Sequence, residues 1–291
     1  MRYVILLGLV WALGAGAATA QERESLSGCG AAASGSERSL LGLEVVGLTN
    51  ADGEQRLVCF SERLPALGRT IGVVTGLADD ARLVGIDYRP ANGVLYGLGD
   101  AGGVYTLDTA TAEATLRSRL NVALDGKHFG VDFNPAVDRL RIVSDAGQNL
   151  RADVTTGATT RDADLNTPPA AGPTEGVTAA AYTNNDLSAV TATTLFDINI
   201  ATDQVVIQAP PNNGSLNPAG SLRVDAGSDA GFDIYSRLQG GVTADVTAFA
   251  ALTVDGRQRF YRVNLLTGEA TLRGTFRVSQ PVVDIAIPTQ Q

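Results

Sequence analysis

The sequence predicts an all-β fold, a β-propeller closed by its own two ends. Three observations predict it: a phrase that recurs along the chain, short strand signals separated by turn residues inside each recurrence, and incomplete repeats at the termini that complement each other. The phrase Gly85-Ile86-Asp87-Tyr88-Arg89-Pro90 returns as Gly130-Val131-Asp132-Phe133-Asn134-Pro135, then as Gly231-Phe232-Asp233-Ile234 and Val282-Val283-Asp284-Ile285. With Ala179-Ala180-Ala181-Tyr182 as a degenerate copy, positions 87, 132, 181, 233 and 284 are 45, 49, 52 and 51 residues apart. A second phrase, a polar hairpin turn after a strand, occurs as Leu107-Asp108-Thr109-Ala110-Thr111, Ile198-Asn199-Ile200-Ala201-Thr202 and Val263-Asn264-Leu265-Leu266-Thr267-Gly268.

Within one repeat, Leu83–Tyr88, Val94–Leu98, Val104–Leu107 and Ala114–Arg117 read as four strands. Asn92-Gly93, and Asp255-Gly256 in a later repeat, supply the positive φ of tight hairpins. No amphipathic stretch is long enough for a helical crossover. At the C-terminus Val282–Ile287 is an inner strand with nothing behind it, whereas Glu44–Leu48, Arg56–Phe60 and Arg69–Thr75 read as strands two to four with no inner strand ahead. Joined, they complete a composite blade, giving five four-stranded blades and no long exposed sheet edge. The fourth blade is the weakest copy, with Thr193–Ile198, Gln204–Gln208 and Leu216–Leu222 as its strands and their register open. An open β-sandwich is the architecture that competes for the same signals.

Ahead of the repeats, Met1–Ala20 carries one basic residue, an apolar run from Val4 to Ala17, and Ala18-Thr19-Ala20, the small-x-small pattern of a secretory cleavage site. The run is shorter than the roughly 20 residues that span a bilayer. Residues 1–20 are therefore expected to be a signal peptide, 21–40 a flexible Gly-, Ala- and Ser-rich tail, and 41–291 the propeller. An exported protein, periplasmic or extracellular, follows, with no membrane span once the signal is removed. The two cysteines, Cys29 and Cys59, form an even pair in an oxidising compartment, so a disulfide pinning the tail to the body is expected over a metal site, which needs further Cys or His ligands. With 22 Lys+Arg against 31 Asp+Glu and a net charge of −9, the chain lacks the positive potential that nucleic acid or anionic lipid requires.

Six ordered motifs, Gly85-Ile86-Asp87 with Arg89-Pro90, Asp132-Phe133-Asn134-Pro135, Gln148-Asn149-Leu150-Arg151, Ala181-Tyr182-Thr183-Asn184-Asn185, Pro211-Asn212-Asn213-Gly214 and Gly231-Phe232-Asp233, resemble the bacterial domain-of-unknown-function 4394 family over roughly Leu43 to Ile287. The family is uncharacterised. The resemblance implies an exported, propeller-like protein and supplies no catalytic residue.

The chemical inventory is mostly negative. With one histidine, His128, a Ser-His-Asp triad would have to be built there and no Gly-x-Ser-x-Gly elbow exists, a multi-His metal site is excluded, and a solvated loop rather than a catalytic or ligand role is the expected place of His128. No phosphate-cradling Gly-x-x-x-x-Gly-Lys exists. No catalytic or cofactor-binding residue is therefore assigned. Asp87, Asp132, Asp233 and Asp284 stand in one inner-strand register, and two roles are open to them. Facing the channel, they repel and raise one another's pKa unless a cation such as Ca²⁺ offsets them. Alternatively each accepts hydrogen bonds from the turn that follows it, the role that repetition in every blade favours.

Departures from symmetry point better to a ligand. Arg139 and Arg141, at alternate positions on one strand face with Arg151 near, could bind a carboxylate or an acidic partner; pairing with Asp138, Asp145 and Asp153 is their simpler role. Asn184 and Asn212, in the loops Thr183–Asp186 and Pro211–Gly214, offer amides to a ligand or serve as turn residues. The expected function is an exported non-catalytic binding or scaffold module for a protein or small-molecule ligand. The alternative is a hydrolase or lactonase with a divalent cation in the channel, which rests on fold analogy.

Overall fold

The computed structural model describes residues 42–170, 172–188 and 191–289. The expected signal peptide, the tail and the Cys29 half of the expected bridge lie outside the described residues. Five four-stranded antiparallel sheets stand as blades in a ring. Blade one is composite: the C-terminal β20 (Val282–Ala286) pairs antiparallel with β1 (Glu44–Ala51), followed by β2 (Glu54–Ser61) and β3 (Arg69–Val73). Blade two holds β4 (Leu83–Arg89), β5 (Val94–Gly99), β6 (Gly103–Leu107) and β7 (Ala114–Arg119). Blade three holds β8 (Phe129–Asn134), β9 (Arg139–Ser144), β10 (Asn149–Ala152) and β11 (Thr159–Arg161). Blade four holds β12 (Val177–Tyr182), β13 (Leu195–Asn199), β14 (Gln204–Gln208) and β15 (Leu216–Ser221). Blade five holds β16 (Ala230–Gln239), β17 (Val242–Val254), β18 (Arg257–Val263) and β19 (Ala270–Thr275).

The chain therefore closes as its complementary ends predict, and the inner strands β20, β4, β8, β12 and β16 contact one another in that cyclic order. The register of blade four is now defined, with Ala180 opposite Asp197 and Asp197 opposite Val206. One part of the repeat alignment needs correction. Asp108 and Asn264 turn the chain from third to fourth strand, each carboxamide or carboxylate oxygen accepting two main-chain N–H groups at 2.7–3.2 Å, whereas Asn199 makes its turn after the second strand of blade four. Asp153 is the true counterpart in blade three. An Asx turn needs only a short polar side chain two residues before the N–H it accepts, so the same phrase serves two different hairpins.

The core is distributed over the seams between blades. Between blades one and five, Phe60 meets Phe260 and Phe276 edge-on at 5.1 Å while Phe249 stacks on Phe260 at 5.3 Å. Such pairs add about 0.5–1.5 kcal/mol each beyond the area they bury. The seam between blades three and four has the smallest apolar cluster, Val143, Leu165, Val177, Ala180, Tyr182, Leu195, Val206 and Leu216, and there the buried polar side chains gather. Near the axis the inner strands approach closely. A Cβ on Gly130 would stand 2.5 Å from the main chain of Ala179 and Ala180 in the next blade, and one on Gly231 would stand 2.5 Å from Cα of Asp284. Glycine two residues before the aspartate removes the side chain that would hold neighbouring blades apart. No helix among the described residues is long and apolar enough to cross a membrane.

Candidate functional site

The four repeated aspartates point inward and link the blades. The N–H of Phe133 donates to Asp87 Oδ2 at 2.7 Å, that of Tyr182 to Asp132 Oδ1 at 3.1 Å, that of Ile287 to Asp233 Oδ2 at 2.5 Å, and that of Ile86 to Asp284 Oδ2 at 2.8 Å. Each donor belongs to the next inner strand around the ring or, for Ile287, to the residue just after it, so the turn-capping role is corrected: the turns that follow Asp87 and Asp132 are held by Asn92 and Asn134, whose Oδ1 atoms accept from the N–H groups of Val94 and Ala136, and the inner aspartates join one blade to the next. The residues i and i+2 of a strand share a face, so the glycine of each Gly-x-Asp phrase permits the approach that the carboxylate then bridges. The step from blade four to blade five has Ala181 in place of an aspartate, and the N–H of Asn185 donates to Ser236 Oγ there instead.

Carboxylates from blades two, three and five can meet only on the axis, and ligand oxygens of Asp87, Asp132 and Asp233 lie within 4.8 Å of one another, all three side chains buried. Burial raises every one of these pKa values. For Asp87 the Asp233 charge adds to burial, for Asp132 the Asp87 and Asp233 charges add, and for Asp284 the Asp233 charge adds. Asp233 is raised by burial to about 7, with the N–H groups of Ile287 and Ile234 acting in the opposite direction. Such a cluster can hold protons near neutrality or bind an oxygen-seeking cation. By donor type the group suits Ca²⁺, which takes six to eight oxygens. Both oxygens of Asp233 and of Asp284 already accept main-chain N–H groups.

At one mouth of the channel the loops before the inner strands bring His128 and Asp229 within 3.4 Å, beside Lys127, Arg82 and the buried Thr178 hydroxyl. His128 is paired and partly exposed, and the surrounding space is small, about 40 Å³.

The asymmetric feature is on the seam between blades three and four. Register places Asp132 opposite Arg141 and Arg141 opposite Arg151, a charged row running outward from the axis. Like charges directly opposite on neighbouring strands repel. Asp162, its side chain buried, offsets this by accepting from Arg141 Nη1 at 2.8 Å and from Arg151 Nε at 3.0 Å. Arg141 donates further to Tyr182 Oη at 3.3 Å, Asn149 Oδ1 at 2.7 Å and Asn212 Oδ1 at 2.8 Å. Arg139 meets Asp153 at 3.4 Å, while the Asp138 carboxylate belongs to Arg89 and Asp145 accepts from the Lys127 N–H. Of the expected pairings only the one with Asp153 forms. Over this row opens a cavity of about 410 Å³ lined by Arg139, Arg141, Arg151, Tyr182, Asn134, Asn212, Val137, Pro210 and Pro211.

Three of the four expected ligand-binding residues thus come together, Arg139, Arg141 and Asn212. Asn184 does not: it stands in a left-handed turn with φ +64°, its amide directed to the carbonyl of Ala192. Asp162, Tyr182 and Asn149 complete the network and carry no local signal of it. Asp197 beneath them does carry one, a carboxylate between Phe196 and Ile198 in the otherwise apolar run Leu195–Ile198. It is fully buried, neither oxygen has a hydrogen-bond partner among the described residues, and burial pushes its pKa well up against the opposing charge of Arg141.

The family described as "Domain of unknown function (DUF4394)" matches residues 56–286. No curated protein matches. Among solved structures, a protein of unknown function from Bacteroides thetaiotaomicron is similar at 12% identity and TM-score 0.49, the alignment covering 84% of this chain and 64% of that one. Glutaminyl cyclase from Myxococcus xanthus is similar at 12% identity and TM-score 0.45, covering 77% and 86%. A Lactobacillus plantarum protein is similar at 12% identity and TM-score 0.40, covering 84% and 99%. The chain spans about two thirds of the length of the first of these, and likeness at this level concerns the fold.

Proposed function

The chain belongs to the DUF4394 family, and we propose that it is an exported, non-catalytic binding propeller whose ligand site is the cavity between blades three and four. The observation that carries this is the cavity itself, about 410 Å³, within the range of small-molecule sites and placed where the ring departs from its own symmetry. Structural devices repeat around the ring, as the inner aspartates do in four of the five blades; the arginine row occurs once. The net charge of −9 argues against nucleic acid as the partner. Removal of residues 1–20, a tail over 21–40 and a Cys29–Cys59 bridge belong to the same proposal, and the intact mass of the secreted protein with and without reductant tests them together.

The test of the site is a thermal-shift screen of small organic ligands against the native protein and Val137→Trp, whose indole would fill the cavity from its exposed lip. Ligands that raise the melting temperature of the native protein should leave the variant unmoved. Ligands that stabilise both equally would show that the cavity is not the site.

A second function is supported by a separate observation, the approach of three carboxylates on the axis to within 4.8 Å. A divalent cation held by Asp87, Asp132 and Asp233, with the Asp284 charge near, would supply the activated water of a hydrolase or lactonase. Metal analysis of the purified protein, with melting in Ca²⁺ and in chelator, tests it: stoichiometric metal and a chelator-sensitive melting temperature support the enzyme, and their absence removes it.

A further inference from the structure

We infer that the cavity between blades three and four takes a small organic molecule through a single carboxylate, received by the terminal N–H groups of Arg151 with Arg139 and Arg141 beside it. The inference rests on the binding function proposed above and adds the class of ligand. It comes from counting donors, acceptors and charges at the cavity wall. The acceptors are in use: both oxygens of Asp162 accept from Arg141 and Arg151, Asn212 Oδ1 accepts from Arg141, and Asp153 faces Arg139. Donors remain. Arg151 engages Asp162 through Nε, and its two Nη atoms have no hydrogen-bond partner among the described residues. Arg141 spends Nε and both Nη1 hydrogens on Tyr182, Asn149 and Asp162, and one Nη2 hydrogen on Asn212, which leaves one. With its oxygen turned to Arg141, Asn212 presents its NH₂ group. A wall of N–H donors is satisfied by a ligand rich in acceptors and repels one rich in donors.

Charge narrows the class. Three guanidinium groups face two carboxylates, Asp162 and Asp153, while Asp132, opposite Arg141 on the neighbouring strand, is held toward its neutral form by burial and by the Asp87 and Asp233 charges on the axis, so one positive charge is left over in a chain of net charge −9. Asp197 behind Arg141 does not cancel it: a carboxyl with no hydrogen-bond donor on either oxygen is disfavoured as an anion. A monoanion neutralises the residual charge, whereas a phosphate monoester, mostly a dianion at neutral pH, overshoots. The planar fork of an arginine also matches a carboxylate in two parallel hydrogen bonds. The side chains of Arg139 and Arg151 are 44% and 39% exposed, so both remain reachable. Val137, Pro210 and Pro211 add apolar surface to the same cavity, which suits a ligand whose body is compact and apolar rather than a bare ion.

The experiment uses 3-phenylpropionate, its amide and inorganic phosphate as probes, read by ligand NMR or calorimetry at low ionic strength with the native protein, Arg151→Gln and Arg139→Gln. Both substitutions are at partly exposed side chains and should leave the melting temperature within a few degrees of native. The carboxylate should bind, the amide should bind at least about tenfold more weakly, and Arg151→Gln should weaken the carboxylate by about tenfold or more, as loss of a charge-assisted hydrogen bond predicts. Arg139→Gln should weaken it less, and added salt should weaken native binding in parallel. Equal binding of acid and amide would overturn the carboxylate class while leaving a ligand cavity standing. Phosphate binding more tightly than the carboxylate would overturn the monoanion. No binding of any probe would overturn this inference, and only the failure of the wider screen against Val137→Trp would remove the binding function with it.

Discussion

Asp233→Asn should flatten the dependence of stability on pH and reverse the ranking of variant and native protein between acid and alkaline conditions. In the native protein Asp233 is 3% exposed, and its carboxyl is raised from 3.8 to about 7. Because the folded value lies above the unfolded one, the group contributes its full stability at a pH below the unfolded value, where both states are protonated. That contribution is lost as pH rises through about 7, since the folded protein must then place a charge in the channel. The difference between the two values corresponds to about 4 kcal/mol between the acid and alkaline limits. Asparagine abolishes the titration, but its NH₂ group cannot accept, so one of the N–H groups of Ile234 and Ile287 loses its partner at a cost of about 1–3 kcal/mol at every pH. The variant should be less stable than the native protein near pH 4 and more stable near pH 8, the two curves crossing between. Its neighbours steepen the effect, because the Asp233 charge raises Asp87, Asp132 and Asp284 and would be gone. Urea unfolding midpoints measured across this range in chelator would read it. Parallel profiles for the two proteins would refute the reasoning, as they would mean that Asp233 ionises at its ordinary value in the folded state.

Deleting residues 282–291 removes β20, leaves the inner edge of β1 unpaired along Val46–Thr49, and should produce aggregation or rapid proteolysis, whereas deleting 21–39 should be far milder; equal behaviour of the two truncations in limited proteolysis would deny the closure its role. Gly130→Ala, whose methyl would stand 2.5 Å from the main chain of β12, should lower the unfolding free energy by about 1–3 kcal/mol or more, although alanine is otherwise the better strand residue. Asp162→Asn leaves Arg141 and Arg151 opposed without their shared carboxylate and should cost several kcal/mol in chemical denaturation, roughly the penalty of breaking a buried pair, with partial recovery in Asp162→Asn/Arg151→Gln.

What could be read from the sequence is what the chain does over short distances. The Gly-x-Asp phrase, the Asx turns at Asp108 and Asn264 and the hairpin at Asn92-Gly93 each involve residues within a few positions of one another, so their chemistry is written locally. Their spacing then indicates how many times the unit repeats, and the unmatched strands at Glu44 and Val282 indicate how the ring shuts. The arginine row was visible for the same reason, since alternation along β9 puts Arg139 and Arg141 on one face wherever that strand packs.

Partners supplied by the next blade were a matter for the tertiary structure alone. The N–H that Asp87 accepts lies 46 residues away, and that accepted by Asp284 lies 198 away. A strand pattern shows which face a carboxylate occupies but not which backbone that face meets, so capping of a nearby turn was the simpler expectation and was displaced. Arg141 reaches Asp162, Tyr182 and Asn212 across separations of 21, 41 and 71 residues, whereas the nearer acids Asp138 and Asp145 are turned to other partners. Asn184 and Asn212 look alike in sequence, two amides in polar loops. Only the curvature of the ring brings one of them to the cavity and leaves the other holding its own turn, because closing five blades about an axis sets which loops face each other across a seam.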